Sequence, residues 1–194
     1  MGVRAWLEDG TGRFLSAVDG LSDGDLDAPT LLPGWTRRHV VAHVHYNAEA
    51  LRRLVHWART GQESRMYADQ DQRDAEIEQG ARLPAPQLRE LVRTSAAAFA
   101  ADFEAMPAAA WSSEVVTAQG RVVPATALAW MRTREVVVHA VDLGVGITFA
   151  DLPDDLNTKL ALDVVKQRAS GGEAAALAAW LTGRAAPPAL GRWL

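Results

Sequence analysis

Two stretches of this sequence, about ninety residues apart, each carry metal-type ligands at the spacing of one helical turn. The first reads Gly34-Trp35-Thr36-Arg37-Arg38-His39-Val40-Val41-Ala42-His43, and the second Arg134-Glu135-Val136-Val137-Val138-His139-Ala140-Val141-Asp142-Leu143. Residues four apart on an α-helix share a face and stand roughly 6 Å apart along the axis. His39 and His43 can therefore share one face, and Glu135 and His139 another. Two imidazoles and a carboxylate converging inside a helical bundle form a usual catalytic metal set, with positions left for water or substrate.

The rest of the chain suits that architecture. Apolar residues at helical spacing (Trp6, Leu7, Phe14, Leu15, Val18) predict a first helix from Val3 to Leu21. After a polar, Pro-containing connection and the turn signal Pro33-Gly34, Thr36 is the N-cap of a second helix reaching Arg59 and stopping at Gly61. Val40, His43, Val44, Asn47, Leu51, Leu54 and Val55 follow its buried face. The charged segment Glu63 to Gln79 reads as a shorter helix over the bundle mouth. Pro84-Ala85-Pro86 opens a third long helix, Gln87 to Met106. Glu114–Thr117 and Arg121–Val123 flank Ala118-Gln119-Gly120 as a short β-hairpin. Pro124 starts the fourth bundle helix, which runs through Glu135 and His139 to Leu143. Two further helical segments follow, Asp154–Ala169 and Glu173–Leu181, split by Ser170-Gly171-Gly172, and the tail is expected to pack Trp193 back on the domain. The expected fold is mainly α: a four-helix bundle over residues 1–150, with a small helical region, 151–194, packing on it.

Composition narrows the function. The formal net charge of −4 lacks the basic face that nucleic acid demands. No apolar run approaches the ~20 residues of a membrane span, and no secretory leader is evident, so a cytoplasmic protein is expected. With 0 Cys among 194 residues there is neither a disulfide nor a thiolate ligand, and any thiol chemistry must use a thiol that arrives as a cosubstrate.

Each candidate has an ordinary alternative. A lone buried His43 reads as a packed core histidine, and Glu135 with His139 as an intrahelical pair. Together they say more, because a buried Glu135 needs a cation or metal to offset its desolvation. His39 is either a fourth ligand or a supporting group. His45 lies about 200° round the helix from His43 and is excluded from the same site. His56 reads as a surface residue, and Trp35, Trp57, Trp111 and Trp130 read as core. Arg73 and Asp74 lie in a charged run whose plain reading is a solvated face. Asp142 either orients a ligand or neighbouring arginine, or binds the helix end. Arg184 follows an Ala-rich helix, where a cation suits the dipole.

In family order the chain carries Leu32-Pro33-Gly34-Trp35-Thr36-Arg37 through Ala42-His43, then Arg73-Asp74-Ala75-Glu76-Ile77-Glu78. Arg134-Glu135-x-x-x-His139-x-x-Asp142-Leu143 and Ala179-Trp180-Leu181-Thr182-Gly183-Arg184 follow. Over nearly its whole length it resembles the mycothiol-dependent maleylpyruvate isomerase family, whose catalytic domain is a DinB-like four-helix bundle. That resemblance implies a divalent metal, usually zinc, on His43, Glu135 and His139. It also implies roles in substrate or thiol binding for Arg73, Asp142 and Arg184. One departure stands out: relatives carry an α+β C-terminal domain, whereas here Val164–Arg168 runs almost directly through Ser170-Gly171-Gly172 into the last helix.

Three functions follow from the resemblance. The first is cis–trans isomerisation of maleylpyruvate, in which metal-activated mycothiol adds to the double bond, the adduct rotates and the thiol is eliminated. The second is a mycothiol S-transferase acting on an electrophile, favoured by the shortened C-terminal region. The third is a metal- or thiol-binding protein without turnover. A monomer or homodimer is compatible with each.

Overall fold

The computed structural model describes residues 2–191, so the expectation for Trp193 lies outside the described residues. The chain divides into two compact units, Gly2–Ile147 and a second from Thr148 onward. The first is a four-helix bundle of α1 (Val3–Gly20), α2 (Arg37–Thr60), α4 (Ala85–Glu104) and α5 (Leu128–Asp142). A shorter α3 (Gln70–Ala81) packs along α2.

Local chemistry sets these boundaries. Pro84 and Pro86 open α4, where the missing N–H of proline falls among donors that lack helical partners. Gly61 ends α2 in the left-handed region at φ 73°, a conformation open to glycine at little cost. The apolar faces of α2, α4 and α5 meet in a core that includes Leu51, Leu54, Phe99, Phe103 and Leu128. Two glycines permit close helix contacts. A Cβ at Gly10 would stand 2.6 Å from Val137 Cγ1, so α1 approaches α5 closely there. A Cβ at Gly80 would meet Ala42 Cβ at 2.8 Å and Tyr46 Cε2 at 3.0 Å, which lets α3 lie against α2. Overpacking of this kind costs about 1–3 kcal/mol. Gly80→Val is therefore expected to lower stability by about that amount in urea unfolding, and an unchanged midpoint would show that α3 yields freely.

The hairpin is present as β1 (Glu114–Val116) and β2 (Val122–Pro124), antiparallel with Val115 opposite Val123. Two sequence expectations shift. Pro124 closes β2 opposite Glu114 instead of starting a helix, and α5 begins at Leu128 after a single 3₁₀ turn. The charged segment becomes helical only from Gln70, because Asp69 caps that point by accepting from the Gln72 N–H at 2.8 Å.

The second unit holds α6 (Asp154–Arg168) and α7 (Ala174–Leu181), joined by a π turn with Gly172 at φ 100°. Leu156, Leu160 and Leu177 are buried, and Arg168 ties the turn to the tail by donating to Glu173 at 3.1 Å and to the Gly191 carbonyl at 2.6 Å. No strand occurs among the described residues of this unit. No helix among the described residues is long and apolar enough to cross a membrane.

Candidate metal centre

The start of α2 is tied to the end of α5. Arg37 donates from Nε to the Leu143 carbonyl at 2.7 Å and from Nη2 to the Gly144 carbonyl at 3.3 Å. A cation on these last carbonyls also suits the negative end of the α5 dipole. This antiparallel pairing brings His43, one and a half turns into α2, against Glu135 and His139 on α5.

Their ligand atoms all lie within 4.8 Å of one another, and the three side chains are buried. His43 Nε2 donates to Glu135 Oε2 at 2.8 Å, and His139 Nε2 stands 3.5 Å from the same oxygen. The two imidazoles meet edge to face with centroids 4.7 Å apart. Two donors each about 2.1 Å from a tetrahedral ion stand about 3.4 Å apart, close to these spacings.

The protonation states fit a cation site. Burial pulls His43 down to a pKa of about 4 against the pull of Glu135, so it is neutral. Burial raises Glu135, but hydrogen bonds to His139 and His43 outweigh it and hold the carboxyl well below its usual range. Burial also lowers His139, yet the hydrogen bonds to Asp142 and Glu135 raise it to about 9. His139 thus carries a buried positive charge whose Nε2 makes no well-formed hydrogen bond, only a long 3.5 Å contact with Glu135 Oε2. An orphaned ring nitrogen facing an ionised carboxylate and a second imidazole suits a divalent ion displacing that proton. The donor set of two N and one O is the kind found at catalytic zinc.

Asp142, one turn beyond His139, holds that ring from behind. Its Oδ2 accepts from His139 Nδ1 at 2.8 Å. This carboxylate fixes the tautomer whose Nε2 lone pair turns to the centre, the usual support of a metal-binding histidine. Asp142→Asn is expected to weaken divalent metal binding about 10–100-fold in competition with a chelating dye. Equal affinity would reduce Asp142 to a helix-end contact.

The remaining candidates separate. Arg73, on α3, turns inward, with Nη2 3.4 Å from His43 Nδ1 and Nη1 2.9 Å from Asp74, so it is more than a solvated charge. His39 turns away to the start of α2. Its Nδ1 accepts from the Thr36 N–H at 3.1 Å and its Nε2 faces Glu78 at 3.4 Å, which leaves it outside the triad. His45 packs on Tyr46, and His56 is exposed. Arg184 lies in the second unit, exposed, its Nη1 donating to the Thr182 carbonyl.

Two neighbours of the centre escaped the sequence reading. Trp35 does not sit in the core: it is half-buried, with its ring 5.5 Å from that of His43 and stacked at 6.3 Å on His39. Its place after Pro33-Gly34 and two turns before His43 was the available signal. Tyr67 lies in the irregular stretch before α3. Burial, with the Arg73 charge opposing and the Glu135 charge adding, pushes its phenol up to about 12, so it remains a hydroxyl donor.

A helical bundle with a buried His–Glu–His cluster across two antiparallel helices defines the class, and comparison with known proteins defines the family. The family model for the mycothiol maleylpyruvate isomerase N-terminal domain matches residues 7–144. The fold is similar to the crystal structure of the mycothiol-dependent maleylpyruvate isomerase, with 40% sequence identity and a TM-score of 0.81, covering 85% of this chain and 70% of that one. A histidine-to-alanine variant of that enzyme matches with the same figures. No curated protein matches. The chain belongs to the mycothiol maleylpyruvate isomerase family, and its first unit is the DinB-like four-helix bundle.

Proposed function

We propose that the protein is a metal- and mycothiol-dependent enzyme of the maleylpyruvate isomerase type. It would interconvert cis and trans forms of an unsaturated diacid by reversible addition of the thiol. The single observation that carries this reading is the buried His43–Glu135–His139 cluster, in a chain 40% identical to the mycothiol-dependent isomerase.

His43, Glu135 and His139 would hold the metal, with zinc the first choice for this donor set. When bound, the ion supplies Lewis acidity that favours the thiolate form of a thiol near neutral pH. Asp142 keeps His139 in the ligating tautomer. Glu135, ionised in the cluster, supplies the negative charge that a dication needs. His43 keeps one ring nitrogen for the ion and the other toward Arg73. The Arg73 guanidinium would pair with a carboxylate of the diacid substrate, for which its planar fork is suited. Trp35, its ring 5.5 Å from that of His43, would border the bound ion. A role for Arg184 in binding substrate or thiol rests on its motif alone.

Arg73→Ala is expected to raise the KM for the anionic partner about 10–100-fold, as removal of a charge-assisted hydrogen bond costs about 1.5–3 kcal/mol. Metal content should not change. Wild-type kinetics with both thiol and electrophile would return Arg73 to a surface charge.

A second reading, a mycothiol S-transferase, is favoured by the absence of strands among the described residues of the second unit. Thiol accounting separates the two. The metal-loaded protein is incubated with mycothiol and either maleylpyruvate or a panel of electrophiles, and products are read by mass spectrometry. An isomerase returns every thiol, a transferase consumes one per product, and binding without either product would leave a metal- or thiol-binding protein.

A further inference from the structure

Arg132 heads the fully buried side chains of the bundle in size, at 1% exposure. Its Nη1 donates to the Val44 carbonyl at 2.8 Å and to Asn47 Oδ1 at 2.9 Å, both neutral acceptors. Its Nη2 is also buried and has no partner. Burial lowers its pKa to about 10 against the opposing charge of Glu135, so it is still a cation at neutral pH. A buried guanidinium with a free donor and only neutral acceptors in contact is costly to keep.

The same residue forms part of the wall of a cavity of about 330 Å³ between α1 and α4. Leu7 and Leu15 line it from α1, and Ala97, Phe99 and Ala100 from α4. The small alanines leave the seam open. Its other charged groups are engaged at the rim or exposed there: Arg4 pairs with Glu104 at 3.1 Å, Arg93 with Asp19 at 2.5 Å, and Glu8 faces solvent. None of the metal-centre residues lines this cavity.

We infer that the α1–α4 seam is a second binding site, for a small organic acid with one carboxylate and an apolar tail. The carboxylate would take the free Nη2 of Arg132 and the tail the alanine and leucine walls. Apolar walls with few convergent polar groups in a cavity of this size are the usual make-up of a small-molecule pocket. With Arg4 and Arg93 already paired at the rim, Arg132 is the one lining cation with a free donor, which suits a single carboxylate and sets the expected ligand apart from an unsaturated diacid.

Calorimetric titration of the metal-loaded protein with sodium hexanoate, and separately with hexan-1-ol, tests this. Hexanoate should saturate one site and bind about 10–100-fold more tightly than the alcohol, the value of a charge-assisted hydrogen bond. Ala100→Phe fills the seam from an exposed position and should weaken hexanoate binding at least about tenfold. His139→Ala should leave hexanoate binding intact, whether or not it retains metal. Arg132→Met should abolish the preference for hexanoate; if that variant does not fold, Ala100→Phe still decides. Absence of saturable binding, equal affinity for acid and alcohol, or loss of binding in His139→Ala but not in Ala100→Phe would overturn the inference. The last outcome would place the acid on the metal.

Discussion

Single substitutions of His43, Glu135 or His139 by Ala are expected to empty the centre of divalent metal and to abolish turnover. Wild-type protein purified without chelator should hold about one ion per chain, with zinc the leading candidate. An outer partner such as Asp142 is worth about 10–100-fold in affinity, and a direct ligand should be worth more. The three variants should differ in stability. Glu135→Ala removes the carboxylate between two imidazoles and leaves the His139 charge with Asp142 alone. Breaking a buried ion pair in this way costs about 3–5 kcal/mol. Glu135→Gln keeps the volume and allows the metal test where the alanine variant unfolds. Elemental analysis beside circular dichroism reads both effects. Folded variants with full metal occupancy would dissolve the assignment, and the proposed chemistry with it.

The bundle was legible in the sequence because its helices obey simple periodicity. Val40, Val44, Leu51 and Leu54 recur at helical spacing, and all are buried. Thr36 and Gly61 bound α2 as their chemistry requires. The triad was legible for the same reason: a carboxylate between apolar runs, one turn from a histidine, asks for a counter-charge. His39 shows where spacing stops being informative. It lies one turn before His43, but the free N–H of Thr36 at the helix start holds its ring there. Pro124 misled in a similar way. Proline suits both the start of a helix and the end of an edge strand, and the pairing with Glu114 decides between them. Arg132 could not have been read at all. Its partners Val44 and Asn47 lie more than eighty residues away, and no local pattern announces a buried arginine bonded to a carbonyl.

Omission of thiol is expected to stop turnover altogether, and this follows from the side chains present. The chain has no Cys, so it cannot supply a sulfur nucleophile itself. The protonated phenol of Tyr67 is a donor at neutral pH, not a nucleophile. His43 is neutral, but its ring nitrogens are committed to Glu135 and Arg73. The Glu135 and Asp142 carboxylates are engaged by the two imidazoles. Mycothiol should restore the rate at catalytic amounts. Dithiothreitol should serve far less well if the sugar and acyl groups of mycothiol, which it lacks, are recognised. The measurement is initial rate against thiol concentration, on protein freed of small thiols by gel filtration. Undiminished turnover in the thiol-free sample would sink the thiol-cofactor reading as a whole.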